Sequence, residues 1–128
     1  MILVDSSVVI HFTRAPTVRL RQIIQNHQAT ICGVTVAETY AGTRTPAAQA
    51  AIAAALGLFG SLAIPDALWA KVGFNLAALG AKGITVPLPD AVIATLALEH
   101  NLEVWTYDAH FAMMQSVLPA LRLFQEPP

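Results

Sequence analysis

Eight acidic residues occur in the chain, and four of them stand where an acid can do chemistry. Asp5 directly follows the apolar run Ile2-Leu3-Val4, and Asp108 lies two residues beyond Val104-Trp105-Thr106. Glu38 falls in the first turn of a helix that follows the second predicted strand, and Asp90 opens an apolar helix after a proline-rich loop. Carboxylates brought together repel one another and cannot all ionise unpaired. A hard divalent cation relieves that repulsion, and magnesium and manganese prefer carboxylate and water oxygens. The four histidines are scattered without ligand-like spacing and Cys32 is the single cysteine, so no cysteine-based zinc site competes. Each acid also has structural work available. Thr35-x-x-Glu38 fits a capping box, and Asp90 and Asp108 suit helix N-caps. Asp5, at the end of a buried strand, has the least such excuse. The set carries the inference more than any member.

These acids need a scaffold that brings them to one edge. Short apolar or β-branched runs predict strands over residues 1–4, 29–34, 102–106 and 121–124. Helical patterns lie between them, over 6–12, 17–27, 36–43, 46–58, 65–81, 90–99 and 108–114. Thr45 before Pro46 reads as a cap followed by proline at the first helical position. Gly83 and Asn101 read as C-terminal stops, and 85–89 as a loop. Strands alternating with helices give an α/β fold with a central, mainly parallel sheet flanked by helices on both faces. Ligands of such sheets bind beyond the carboxyl ends of the strands, where all four acids would point.

Composition bounds the rest. With 128 residues, 55% of them hydrophobic, 12% charged and a net charge of −1, the chain reads as one domain spanning residues 1–128. Disorder is excluded by the apolar content, a disulfide scaffold by the lone cysteine, and a strongly basic nucleic-acid coat by the charge. So few charges imply exposed apolar area and therefore a partner or an oligomer, unless alanine inflates the count. Residues 47–64 are uncharged and near a membrane span in length, but are alanine-rich and interrupted by Gln49, Gly57, Gly60 and Ser61. They are expected to form a buried core helix, with no membrane association. Trp69 and Phe74 are expected in the core or at a dimer interface. No signal peptide is expected, because no basic region precedes a long apolar one, and the expected location is cytoplasmic.

The motifs, taken together, resemble those of PIN-domain nucleases. Ile2-Leu3-Val4-Asp5-Ser6-Ser7-Val8-Val9-Ile10 resembles the opening of that family, Thr35-Val36-Ala37-Glu38 its second acidic motif, Pro89-Asp90-Ala91-Val92-Ile93-Ala94 its third, and Val104-Trp105-Thr106-Tyr107-Asp108-Ala109-His110-Phe111 its fourth. The resemblance covers essentially the whole chain, and a minimal domain of this size is most similar to the VapC toxins of toxin–antitoxin pairs.

The resemblance implies a metal-dependent endoribonuclease acting as a toxin. Asp5, Asp90 and Asp108 would hold Mg2+ or Mn2+, with Glu38 completing a catalytic set of four carboxylates. Ser6 and Thr106 would support the acids by hydrogen bonding. Arg14 and Arg44 are candidate phosphate contacts on an RNA substrate. It also implies a homodimer and a VapB-like antitoxin partner, for which the helices over 16–27 and 46–59, with Leu56, Leu58 and Phe59, are candidate grooves. One position departs from the pattern: many relatives carry a second acid two residues after the fourth-motif aspartate, where this chain has His110. His110 is expected on the exposed side of a short helix, with a place in the site as the alternative. Two other functions remain open, an RNA-processing nuclease without a toxin role and a non-catalytic α/β protein-binding module. A receiver-like module would want paired acids after its first strand, and a haloacid-dehalogenase-type phosphatase an Asp-x-Asp. Ser6 and Ser7 follow Asp5 instead.

Overall fold

A computed structural model describes all residues, Met1–Pro128. The chain runs β1 (Ile2–Val4), α1 (Ser6–Arg14), α2 (Val18–Asn26), β2 (Ala29–Ile31), α3 (Gly33–Ala41), α4 (Pro46–Leu56), β3 (Gly60–Ser61), α5 (Leu68–Ala81), α6 (Leu88–His100), β4 (Glu103–Trp105), α7 (His110–Met114) and β5 (Arg122–Leu123). The five strands form one sheet in the order β3-β2-β1-β4-β5, and every pairing is parallel.

The apolar strands are buried because helices cover both faces, as parallel sheets require. Side chains alternate across a strand, and β1 divides its residues accordingly. Leu3 packs with Val104, Val72, Leu79, Ile93 and Phe111 on one face. Ile2 and Val4 pack with Val8, Phe12, Leu20, Ile24 and Trp105 on the other. Each such side chain, fully buried, contributes about 1.5–3 kcal/mol. Helix α6 lies within the first of these cores, and Asp90 through Ala97 are buried without interruption. That explains a helix apolar on all sides.

The strand order fixes where a ligand can sit. From β1 the chain crosses to β2 and β3 on one side, then returns to β4 and β5 on the other. The reversal falls between β1 and β4, and the crevice at such a switch point is the usual ligand position. Register sets Val4 beside Trp105, and the Asp5 amide donates to the Trp105 carbonyl at 3.0 Å. Asp5 and Thr106 therefore leave the sheet side by side.

The expected caps and stops are present at Thr45 (which accepts from the Ala48 amide), at Asn101 (left-handed, φ 54°) and at Gly83 (φ 74°). Three expectations need correction. β3 has only two residues, Gly60 and Ser61, with no apolar alternation to reveal it. Helix α4 is a surface helix and not a core one: Ile52 and Ala55 are buried while most of its alanines are exposed. Alanine tolerates either environment, so a run of it carries no direction. Helix α6 starts two residues before Asp90, since prolines 87 and 89 fall at positions that need no helical amide donor. Trp69 and Phe74 are exposed on α5 and not in the core, which leaves the dimer-interface alternative for them. No helix is long and apolar enough to cross a membrane.

Candidate active site

The site begins with Asp5, which is 3% exposed at the end of β1. It also serves as the N-cap of α1, a structural role its sequence position had concealed. All of the hydrogen bonds it accepts fall on Oδ2: from Ser7 Oγ at 2.6 Å, Thr106 Oγ1 at 2.9 Å and the Ser7 amide at 3.4 Å. Oδ1 takes part in none of them. Thr106 Oγ1 in turn accepts from the Asp108 amide at 2.9 Å, and Ser7 Oγ from the Tyr107 amide at 3.0 Å. Two hydroxyls thus lock the end of β1 to the loop after β4.

Glu38 is delivered by α3. The Thr35 hydroxyl donates to the Val4 carbonyl at 3.0 Å, pinning α3 to the end of β1. Glu38 lies one turn further along the same face, and its Oε1 accepts from Ser6 Oγ at 3.2 Å. The capping-box expectation does not hold. Cys32 is the N-cap of α3, so Thr35 and Glu38 lie inside the helix and hold the site together instead. Asp90, 5% exposed, is in the first turn of α6 behind the Pro87 N-cap and is not a cap itself. Asp108 does not cap α7 by position either, because Ala109 does, although Asp108 Oδ1 accepts the His110 amide at 2.9 Å.

These acids come together as two overlapping triads. Ligand-capable atoms of Asp5, Glu38 and Asp90 all lie within 4.8 Å of one another, and so do those of Asp90, Asp108 and His110. Asp90 belongs to both. His110 is therefore not a bystander on an exposed face: its Nδ1 lies 2.7 Å from Asp90 Oδ2 and 3.1 Å from Asp108 Oδ1. Sequence reading could not see this, because the orientation of one ring on a five-residue helix depends on the neighbouring α6. Ser7 was also missed. Its signal was the Asp5-Ser6-Ser7 run, since a hydroxyl two residues after an aspartate can return to it.

The electrostatics follow from the crowding. Glu38 holds its proton to higher pH than an ordinary glutamate, through burial first and Asp5 second, with the Ser6 bond opposing; Asp90 and Asp108 add to the rise. Asp90 is raised by burial, with the His110 bond opposing and Asp5 and Asp108 adding to it. His110 is raised chiefly by its bond to Asp90, against its own desolvation. No lysine or arginine is paired with these acids. The donor set, carboxylate oxygens converging from several elements with no cationic side chain except one imidazole, fits a divalent cation.

Arg14 and Arg44 do not join the cluster. They line a separate cleft of about 400 Å3 between α1, the end of α3 and the start of α4, with Thr13, Thr43 and Ile52. Arg14 ends the helix that Ser6 begins, eight residues on, which is roughly 12 Å along the axis.

The family model described as PIN domain matches residues 2–116. Among solved structures the chain is similar to VapBC2 from Rickettsia felis bound to a DNA fragment from its promoter, with a TM-score of 0.82, 16% identity, and 97% of this chain and 98% of that chain covered. It is also similar to DNA-bound VapBC from Salmonella typhimurium, with a TM-score of 0.79, 20% identity and 97% and 98% covered. A third likeness is to FitAcB from Neisseria gonorrhoeae, with a TM-score of 0.74, 21% identity and 98% of both chains covered. At these identities the likeness is one of fold. No curated protein matches the sequence.

Proposed function

The chain belongs to the PIN-domain family, and from that premise we propose that it is a metal-dependent endoribonuclease acting as the toxin of a toxin–antitoxin pair. The observation that carries this reading is the pair of triads, Asp5-Glu38-Asp90 and Asp90-Asp108-His110, that share Asp90 at the switch point of the sheet. Asp5, Asp90 and Asp108 would hold Mg2+ or Mn2+, and Glu38 would complete the set. When bound, the metal activates water near neutral pH and offsets charge developing on the phosphate. It also reverses the local sign, so that an acidic crevice accepts a polyanion.

The chain's own residues do the positioning. Ser7 and Thr106 hold Asp5 through Oδ2, which leaves Oδ1 free of those bonds. Ser6 steers Glu38. Glu38, held by Ser6 beside Asp5 and Asp90, is placed to accept a hydrogen bond from water at the cluster. Arg14 and Arg44 would bind phosphates away from the scissile bond, fixing the RNA without reading its sequence.

The partner readings rest on the likeness to VapC toxins and on surface chemistry. Phe74 and Trp69 on α5, 72% and 47% exposed, are apolar side chains that a second copy of the chain would cover. A cleft of about 370 Å3 between α1 and α4, lined by Phe12, Pro16, Ala54, Ala55 and Leu58, suits an apolar segment of a VapB-like antitoxin. This supports the expected groove along 46–59.

Incubation of purified protein with transfer, ribosomal and messenger RNA tests the activity, with Mg2+ or Mn2+ beside EDTA and Asp5→Asn. Metal-dependent cleavage lost in the variant is expected. Cleavage that survives both EDTA and the substitution contradicts the reading.

A further inference from the structure

His110 is the nitrogen donor in an otherwise oxygen-only cluster, and its geometry is specific. The ring presents Nδ1, not Nε2, to the acids, 2.7 Å from Asp90 Oδ2 and 3.1 Å from Asp108 Oδ1. Its backbone is fixed by the hydrogen bond that its N–H donates to Asp108 Oδ1, so the two residues hold each other within one turn. Asp108 is in turn tied through its amide to Thr106, and Thr106 to Asp5. The imidazole is thus built into the same hydrogen-bonded frame as the carboxylates. Its ligand atom lies within 4.8 Å of those of Asp90 and Asp108, the spread expected of neighbours around one ion with metal–ligand distances of about 2.0–2.2 Å.

We propose that His110 is a metal ligand through Nδ1, together with Asp90 and Asp108, and that it shifts this position away from Mg2+ toward first-row transition metals such as Mn2+ and Co2+. The proposal rests on the metal-dependent reading above. The physical reason is donor softness. Mg2+ favours an all-oxygen shell and keeps several waters, whereas imidazole suits the later divalent ions, whose affinity rises from Mn2+ through Co2+ for nitrogen donors. The rival role for His110 is that of a cationic counter-ion, an imidazolium that neutralises Asp90 and Asp108 and is expelled by any incoming metal. The two roles predict opposite results. Loss of a ligand weakens binding and does so most for the ions that favour nitrogen. Loss of a competing cation strengthens binding of every divalent ion.

The test is the affinity of the metal-free full-length protein for Mg2+, Mn2+ and Co2+ by calorimetric titration, in wild type, His110→Gln and His110→Asp. Pulsed electron paramagnetic resonance of the Mn2+-loaded proteins is recorded alongside. The proposal expects nitrogen modulation in the wild-type spectrum that vanishes in His110→Gln. It also expects the ratio of Co2+ to Mg2+ affinity to fall at least about tenfold in His110→Asp, where an oxygen donor replaces the ring. Binding of Mn2+ without nitrogen modulation, an unchanged ratio, or tighter binding of all three ions in His110→Gln overturns it while leaving the metal-dependent reading intact. Failure of the wild type to bind any of the ions overturns both.

Discussion

The segment Trp105–Asp108 contacts one lone acid, Glu126, and one cluster of acids, and the two are built on opposite principles. Glu126, in the C-terminal segment, is surrounded by donors. Arg19 pairs with its Oε1 at 2.8 Å, and Trp105 Nε1 at 3.1 Å and the Tyr107 hydroxyl at 2.5 Å reach Oε2. Burial alone would raise its pKa, but the bonds from Tyr107, Arg19 and Trp105 outweigh burial and hold it below the ordinary glutamate value. Tyr107 is correspondingly pushed up, by desolvation and by this bond. Glu38 and Asp90 instead are raised, by burial first and by neighbouring carboxylates in addition, against the bonds from Ser6 and His110. An acid meant to hold the fold together is supplied with cations and donors. The cluster instead gathers four carboxylates with His110 as their one basic partner, and that excess of acid separates it from Glu126 without knowledge of the reaction.

The largest effect expected from this contrast is on activity. Asp5→Asn keeps the helix cap and its hydrogen-bond acceptor but removes the charge. RNA cleavage by Asp5→Asn or Asp90→Asn should fall by at least about a hundredfold, since even indirect supports of metal sites cost 10–100-fold. Folding stability of Asp90→Asn, measured by urea unfolding, should not fall, because a buried repelled carboxylate has gone. A large stability loss in Asp90→Asn would show that the acid is structural and would erase the distinction.

Thr106→Ala comes next. It frees Asp5 Oδ2 from one of its two hydroxyl donors and releases the Asp108 amide. Activity is expected to drop about 10–100-fold with fold intact by circular dichroism. Activity equal to wild type would mean that the hydroxyl frame does not position the acids.

The arrangement of the acids was legible in outline because acids at the ends of neighbouring parallel strands must emerge together, as Asp5 and Asp108 do. Asp90 was legible as a residue in the first turn of a helix that returns to that edge, and Glu38 as a residue of another such helix, although it lies in the second turn and not the first. What sequence could not supply was direction. Thr35 and Glu38 match a capping pattern, yet helix α3 begins earlier and spends both side chains on β1 and Ser6. His110 carries no pattern of its own, and its ring meets Asp90 of a distant element as well as its neighbour Asp108. Helix α4 failed for the same reason in reverse, since alanine fits equally well in a core and on a surface. β3 is pairing without pattern, two small residues added to the edge beside Thr30 and Ile31.

On the structural side of the contrast, Glu126→Ala should destabilise the fold by about 1–2 kcal/mol, the value of charged hydrogen bonds reduced for the solvent exposure of the Arg19 arm. RNA cleavage should stay within about twofold of wild type at a temperature where both proteins are folded. A loss of activity larger than that would place Glu126 with the functional acids.

The smallest effect is in the pH dependence of the metal-free protein, where the two regions should act with opposite signs. Glu126 has a lowered folded pKa, so its stabilisation is present above the unfolded value of about 4.5 and is lost as pH falls through the folded value. Glu38 and Asp90 have raised folded values, so their penalty is present at neutral pH and is relieved as pH falls through those values. In urea unfolding from pH 7 to pH 3, Asp90→Asn should lose part of the gain on mild acidification, and Glu126→Gln part of the loss at lower pH. Identical profiles for the two variants would contradict the assignment.

The central claim is that the carboxylates converging on Asp90 make a place for a divalent cation. Calorimetric titration of Mn2+ into EDTA-stripped wild type, Asp90→Asn and Glu126→Gln tests it most directly. The account predicts saturable binding in wild type and Glu126→Gln and its loss in Asp90→Asn, where the residue shared by both triads no longer carries charge. Binding that persists unchanged in Asp90→Asn, or no binding in the wild type, would contradict it.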